Sequence, residues 1–152
     1  MNATRHSWDQ LLELARELKR WSSCSVCEET RQRSATSRAY YAAFCSARNY
    51  LRDFESDIPP TNGKVHKWVR DRLDTPKGAM DKERAEVAAW LKRLHLRRKR
   101  ADYEDTIGPR DTAASDCVYA LIESRKVINL LASLEKGIVS GSGSRSSTPR
   151  TP

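Results

Sequence analysis

The sequence predicts an all-α protein, an antiparallel helical bundle of about five helices with a disordered C-terminal tail. Apolar residues recur at three- and four-residue spacing in five separate stretches, divided by a polar Cys-containing loop after the first and by Gly or Pro between the others. No stretch sustains the apolar/polar alternation and turn dipeptides of a β-hairpin. From Gly137 the composition turns to Ser, Gly, Thr and Pro, with little to bury. A chain of 152 residues holds one domain. The expected boundary gives a helical domain over 1–136 and a tail over 137–152.

The first helix is expected from about Ser7 to Trp21. Ser7 and Gln10 have the S-x-x-Q spacing of a capping box, and Trp8, Leu11, Leu12, Ala15 and Leu18 share a face. A polar loop holding Cys24 and Cys27 follows. The second helix spans about Ser34 to Glu55, with Tyr40, Ala43, Phe44, Ala47, Tyr50, Leu51 and Phe54 forming a bundle-facing stripe. Its alanines allow close helix approach, and Pro59-Pro60 lies beyond its end.

A short third helix, about Gly63 to Leu73, turns Val65, Trp68 and Val69 inward, and Asp74 to Gly78 is a loop around Pro76. The fourth runs from about Met80 to Tyr103. Its stripe Val87, Leu91, Leu94 continues at Arg98 and Ala101, which puts an arginine on the packing side. After Gly108-Pro109 the fifth helix, about Asp111 to Glu135, carries Ala114, Cys117, Val118, Leu121, Ile128 and Leu131. Val127, Leu130 and Leu134 widen that face, as burial on two sides requires.

Twenty-eight Lys and Arg against 20 Asp and Glu give a formal charge of +8, which favours a polyanionic partner. The tail holds two arginines and no acid, so the helical domain keeps most of that charge. No apolar run is long enough to span a membrane, and the N-terminus has no signal-peptide pattern. A soluble, cytoplasmic protein is expected, with reduced cysteines. Cys24 and Cys27 form a lone C-x-x-C, and His6, His66 and His95 are scattered. The spacing therefore supports neither a metal site nor a cofactor.

The most unusual window is Lys92 to Arg100, K-R-L-H-L-R-R-K-R, with six basic residues in nine. It is either a solvated helix face or an electrostatic footprint for nucleic acid. The inward phase of Arg98 favours the second, because a buried arginine needs a partner or a phosphate. Asp102 lies four residues on and can pair with Arg98, as a structural or a functional pair.

Ser37 to Arg48, S-R-A-Y-Y-A-A-F-C-S-A-R, and Arg98-Lys99-Arg100-Ala101-Asp102-Tyr103 resemble, respectively, the second-helix signature and the R-x-x-A-D-Y variant of the HEPN superfamily (higher eukaryotes and prokaryotes nucleotide-binding). His66 falls where such sequences often carry a Thr/His-Lys segment. The resemblance spans roughly Ser7 to Glu135. It implies a helical homodimer whose basic helices meet in a cleft. Catalytic members are metal-independent endoribonucleases in which an arginine steadies the phosphate and a following histidine handles the 2′-hydroxyl proton. Others bind RNA, or accompany small nucleotidyltransferases, in toxin–antitoxin, defence or RNA-processing settings.

This chain departs from the pattern where the histidine belongs. After Arg97 and Arg98 the corresponding positions hold Asp102, Tyr103, Glu104 and Asp105. An aspartate is a weak base and repels phosphate. The expectation is therefore an RNA-interacting homodimer with a degenerate or weak endoribonuclease site, or else a non-catalytic helical partner of a nucleotidyltransferase. The resemblance assigns RNA contact to Arg97, Arg98, Lys99, Arg100 and Arg38. Arg98 and Asp102 are candidate catalytic residues, with His95 as a substitute base or a packing residue. Tyr103 is the candidate acceptor of a partner-transferred AMP, or a helix-end aromatic packed on the core. Tyr40 is expected in the core and Tyr41 at a dimer contact.

Overall fold

The computed structural model describes residues 7–107 and 112–142, and all its regular elements are helices: α1 (Asp9–Arg20), α2 (Glu28–Phe54), α3 (Val65–Asp74), α4 (Asp81–Tyr103) and α5 (Ala113–Ser142). No helix among these residues is long and apolar enough to cross a membrane.

Helix α2 is the axis of the bundle and touches all four others. Ala35, Ala39, Ala42, Ala43 and Ala47 are fully buried in it, so neighbours approach closely, and Ser124 Oγ of α5 donates to the Ala39 carbonyl at 2.6 Å. The bundle itself consumes this alanine face.

Helix α2 also begins six residues before its expected start at Ser34. Its first turns carry polar pairs where an apolar stripe is missing: Gln32 donates to Glu28 at 2.7 Å and Arg33 to Glu29 at 2.8 Å. Such i,i+4 pairs, with two acids on the positive end of the helix dipole, extend a helix that hydrophobic periodicity does not mark. Cys27 is its N-cap residue, and both loop cysteines are free thiols.

The expected capping box of α1 does not form. Trp8 occupies the cap with helical dihedrals and without a side-chain capping bond, and the chain enters through a backbone turn from Gln10 N–H to Ser7 O at 3.2 Å. At its far end α2 stops at Ser56, whose φ of 56° reverses the chain so that Asp57 N–H reaches the Leu51 carbonyl at 3.0 Å.

Helix α5 runs past the expected boundary at 136/137. Gly137 lies inside it because Met80 packs against the backbone there: a Cβ on Gly137 would stand 2.5 Å from the Met80 methyl carbon. The rest of the expected tail, 143–152, and the expected helix start at Asp111 lie outside the described residues. Val118 and Ala114, expected inside, face outward, while Cys117, Ala120, Ser124 and Val127 fill the interface.

Candidate nucleic-acid interface

Helix α4 distributes its arginines by phase. Arg93, Arg97 and Arg100 recur at i, i+4, i+7 and therefore share one face, whereas Arg98 lies about 100° away from Arg97. The first face meets two carboxylates about one and three turns along α5. Arg100 clamps Asp116 through Nε at 3.1 Å and Nη2 at 2.6 Å. Arg93 and Arg97 hold the two oxygens of Glu123 at 2.7 and 2.5 Å. Asp116 and Glu123 are only 3% and 8% exposed, so these are buried charges that need their cations. Arg97 also lies over the Tyr119 ring, 5.1 Å from its centre. The basic window is therefore not one outward patch. Arg97 and Arg100 join α4 to α5, and Lys99 is exposed.

Arg98 turns instead toward α2. Its Nε lies 2.6 Å from Asp102 Oδ2, its Nη2 donates to the Tyr103 hydroxyl at 3.2 Å, and its guanidinium sits over the rings of Tyr41 and Tyr103 at 5.4 and 5.1 Å. Ser37 donates to the same Asp102 oxygen at 3.2 Å. Arg98, Asp102, Ser37 and Tyr41 line an open groove of about 600 Å³ whose wall also carries Arg33 and Arg38. Three arginines thus face one aspartate. Arg38 is exposed above Tyr41, 5.8 Å from the ring centre.

Arg33 escapes a reading based on apolar periodicity. Its Nη1 donates to the Glu104 carbonyl at 2.6 Å and lies 3.3 Å from that of Ala101, capping the negative end of α4 beneath the motif. Tyr103, expected on the core, is 69% exposed, and its hydroxyl is spent on Arg98.

His95 does not join Arg98 and Asp102. It belongs to a second cluster that sequence spacing does not suggest, because its histidines lie on different helices. The Tyr40 hydroxyl is 2.7 Å from His66 Nδ1 and 3.3 Å from His95 Nδ1, and the two imidazole centres are 5.8 Å apart. One hydroxyl carries one proton. The shorter contact fits donation from Tyr40 to His66, with His95 Nδ1–H donating back to the tyrosine oxygen. Phe44 packs 4.2 Å from the His66 ring centre and fixes the arrangement from α2.

Burial lowers the pKa of both histidines. For His95 the fall is to about 4, with Arg70, His66, Arg98 and Lys99 adding repulsion after burial. His66 is lowered by burial, then by Arg98 and Arg70. Burial likewise keeps the Tyr40 hydroxyl protonated well above the ordinary tyrosine range. At neutral pH the cluster holds two neutral imidazoles, which accept protons but carry no charge with which to grip an anion.

Comparison with known protein families, with characterised proteins and with solved structures finds no match for this chain.

Proposed function

We propose that the chain is an HEPN-type RNA-interacting protein with a degenerate endoribonuclease site, acting as a homodimer in a toxin–antitoxin, defence or RNA-processing setting. The observation that carries this reading is the 2.6 Å contact of Asp102 with Arg98, inside a groove lined by Arg33 and Arg38. An arginine half-neutralised by an aspartate still attracts a phosphodiester, but that aspartate supplies no imidazole for the 2′-hydroxyl proton. Arg98, Arg38 and Lys99 contact the backbone. Arg97 and Arg100 support them by holding α4 on α5.

The test is fluorescence anisotropy with a labelled single-stranded RNA. Three phosphate contacts predict a loss of affinity of about two log units per log unit of salt, at about 0.7 per contact. Arg98→Ala weakens binding about tenfold, as expected for one charge-assisted contact. Asp102→Asn strengthens it by removing the competing carboxylate. Equal affinity in all three proteins refutes the reading.

A second reading, the helical companion of a small nucleotidyltransferase, is favoured by the exposure of Tyr103, which is 69% open to solvent. A mass increase of one AMP on Tyr103 in the presence of such an enzyme and ATP distinguishes it.

A further inference from the structure

Helices α3 and α4 are joined by the short segment 75–80 and run antiparallel, which brings His66 and Arg70, one turn apart on α3, opposite Lys92 and His95, one turn apart on α4. Between the helices lies a groove of about 470 Å³, kept open by Ala85, Ala88 and Ala89 and carrying Lys67, Arg70 and Lys92. Two acids also line it, Asp71, which is tied to Lys67 at 2.5 Å, and Asp74 towards the other end of α3. Arg70 Nη1 is buried and, among the described residues, has no hydrogen-bond partner. A guanidinium donor left in that state costs about 1–3 kcal/mol and calls for an acceptor.

We propose that the head of this groove binds a phosphate monoester, held by Arg70 and taken up together with protons on His66 and His95. The groove shares no lining residue with the Arg98 groove, and the proposal does not require the RNA reading to hold. The groups acting on the two rings are Tyr40 and Tyr41 from α2, Arg70 from α3, and Arg98 and Lys99 from α4, so none is an acid. The low proton affinity of the histidines is in part mutual repulsion and repulsion from Arg70, which an anion between them relieves. Charge selects the ligand class. Arg70 and two imidazolium rings suit a dianion, whereas a phosphodiester with one negative charge leaves the rings nothing to gain from protonation.

The phosphate belongs to the end of an RNA chain or to a free nucleotide, and both present the same group. Ring resonances of His66 and His95 are followed by NMR against pH, in chloride and in inorganic phosphate at equal ionic strength, without RNA. Phosphate is expected to raise the His95 midpoint by at least about one pH unit, a tenfold gain in proton affinity. Arg70→Met removes the shift and Arg70→Lys keeps part of it. His95→Gln, read by calorimetry in two buffers of different ionisation heat, lowers the proton uptake that accompanies phosphate binding.

A 5′-phosphorylated oligoribonucleotide and a nucleoside 5′-monophosphate each reproduce the shift, and their relative affinities name the source. Histidine midpoints that ignore phosphate overturn the proposal. An oligoribonucleotide with a 5′-hydroxyl that matches its phosphorylated form overturns it as well, because an internal phosphodiester would then suffice.

Discussion

Glu123 receives Arg97 on one carboxylate oxygen at 2.5 Å and Arg93 on the other at 2.7 Å, so a single buried side chain of α5 holds two turns of α4. Asp116 does the same for Arg100 one turn beyond. Removing one partner of a buried ion pair leaves an uncompensated charge and costs about 3–5 kcal/mol. Glu123→Ala and Asp116→Ala should each lower unfolding free energy by about 3 kcal/mol in urea titrations. A loss below about 1 kcal/mol would show that these pairs behave as solvated surface bridges.

Charge reversal at Arg97 or Arg100 should lower stability by a similar amount, because each arginine holds one of those carboxylates. Arg38→Glu, at an exposed position, should leave the melting temperature nearly unchanged and weaken RNA binding. Calorimetry of the three variants separates the two outcomes. An Arg97 variant that melts like the parent but no longer binds RNA would return that residue to the interface.

The histidine pair makes stability depend on pH. Both side chains titrate lower in the folded protein than the ordinary histidine value near 6.5, His95 at about 4. As pH falls below about 6.5 the unfolded chain binds these protons first. Stability is therefore complete above that value and declines towards pH 4, by on the order of 1–2 kcal/mol for a partly solvated ring. In buffer free of phosphate, His95→Gln should flatten this slope. A slope that is unaltered places the titration elsewhere.

Catalysis should be slow or undetectable in EDTA with a long single-stranded RNA, since loss of general acid–base assistance is worth about 10²- to 10⁴-fold. Efficient cutting to 2′,3′-cyclic ends, stopped by Arg98→Ala, would reverse that expectation. Asp102→Asn and His95→Ala would then identify the base.

A homodimer is expected to form through α5. Val118, Tyr119 and Ile122 are 38%, 52% and 47% exposed along its outer side, the apolar surface from which a homodimer is expected. Light scattering at tens of micromolar should give twice the chain mass, and Ile122→Lys should halve it. A monomeric parent removes the shared cleft from the functional reading.

Much of the fold was legible because it is written in apolar spacing. Leu12 and Ala15, the stripe Tyr40, Ala43, Phe44, Ala47, Tyr50 and Leu51, and Leu91 and Leu94 are all buried where their periodicity puts them. The early start of α2 was not legible, since its first two turns rest on pairs such as Glu28 with Gln32 and carry no apolar stripe. In the site, the inward phase of Arg98 and its pairing with Asp102 follow from one helix and were readable. The buried acids facing Arg97 and Arg100 were not, because Asp116 and Glu123 look like ordinary helix-surface residues until α5 is laid on α4. The meeting of His66 with His95 on Tyr40 needs three helices at once, and no linear spacing encodes it.

Arg84 draws a consequence from the opposite end of the bundle. Only 3% exposed, it grips Glu55 at 2.9 and 3.1 Å and donates to the Thr75 and Arg72 carbonyls at 2.6 and 2.7 Å. The end of α2, the end of α3 and the first turn of α4 therefore share one cation. A ten-residue helix such as α3 is too short to persist alone in water. Its amides should then exchange with deuterium only when the last turn of α2 opens as well, so that both segments report one opening free energy and form a single cooperative unit.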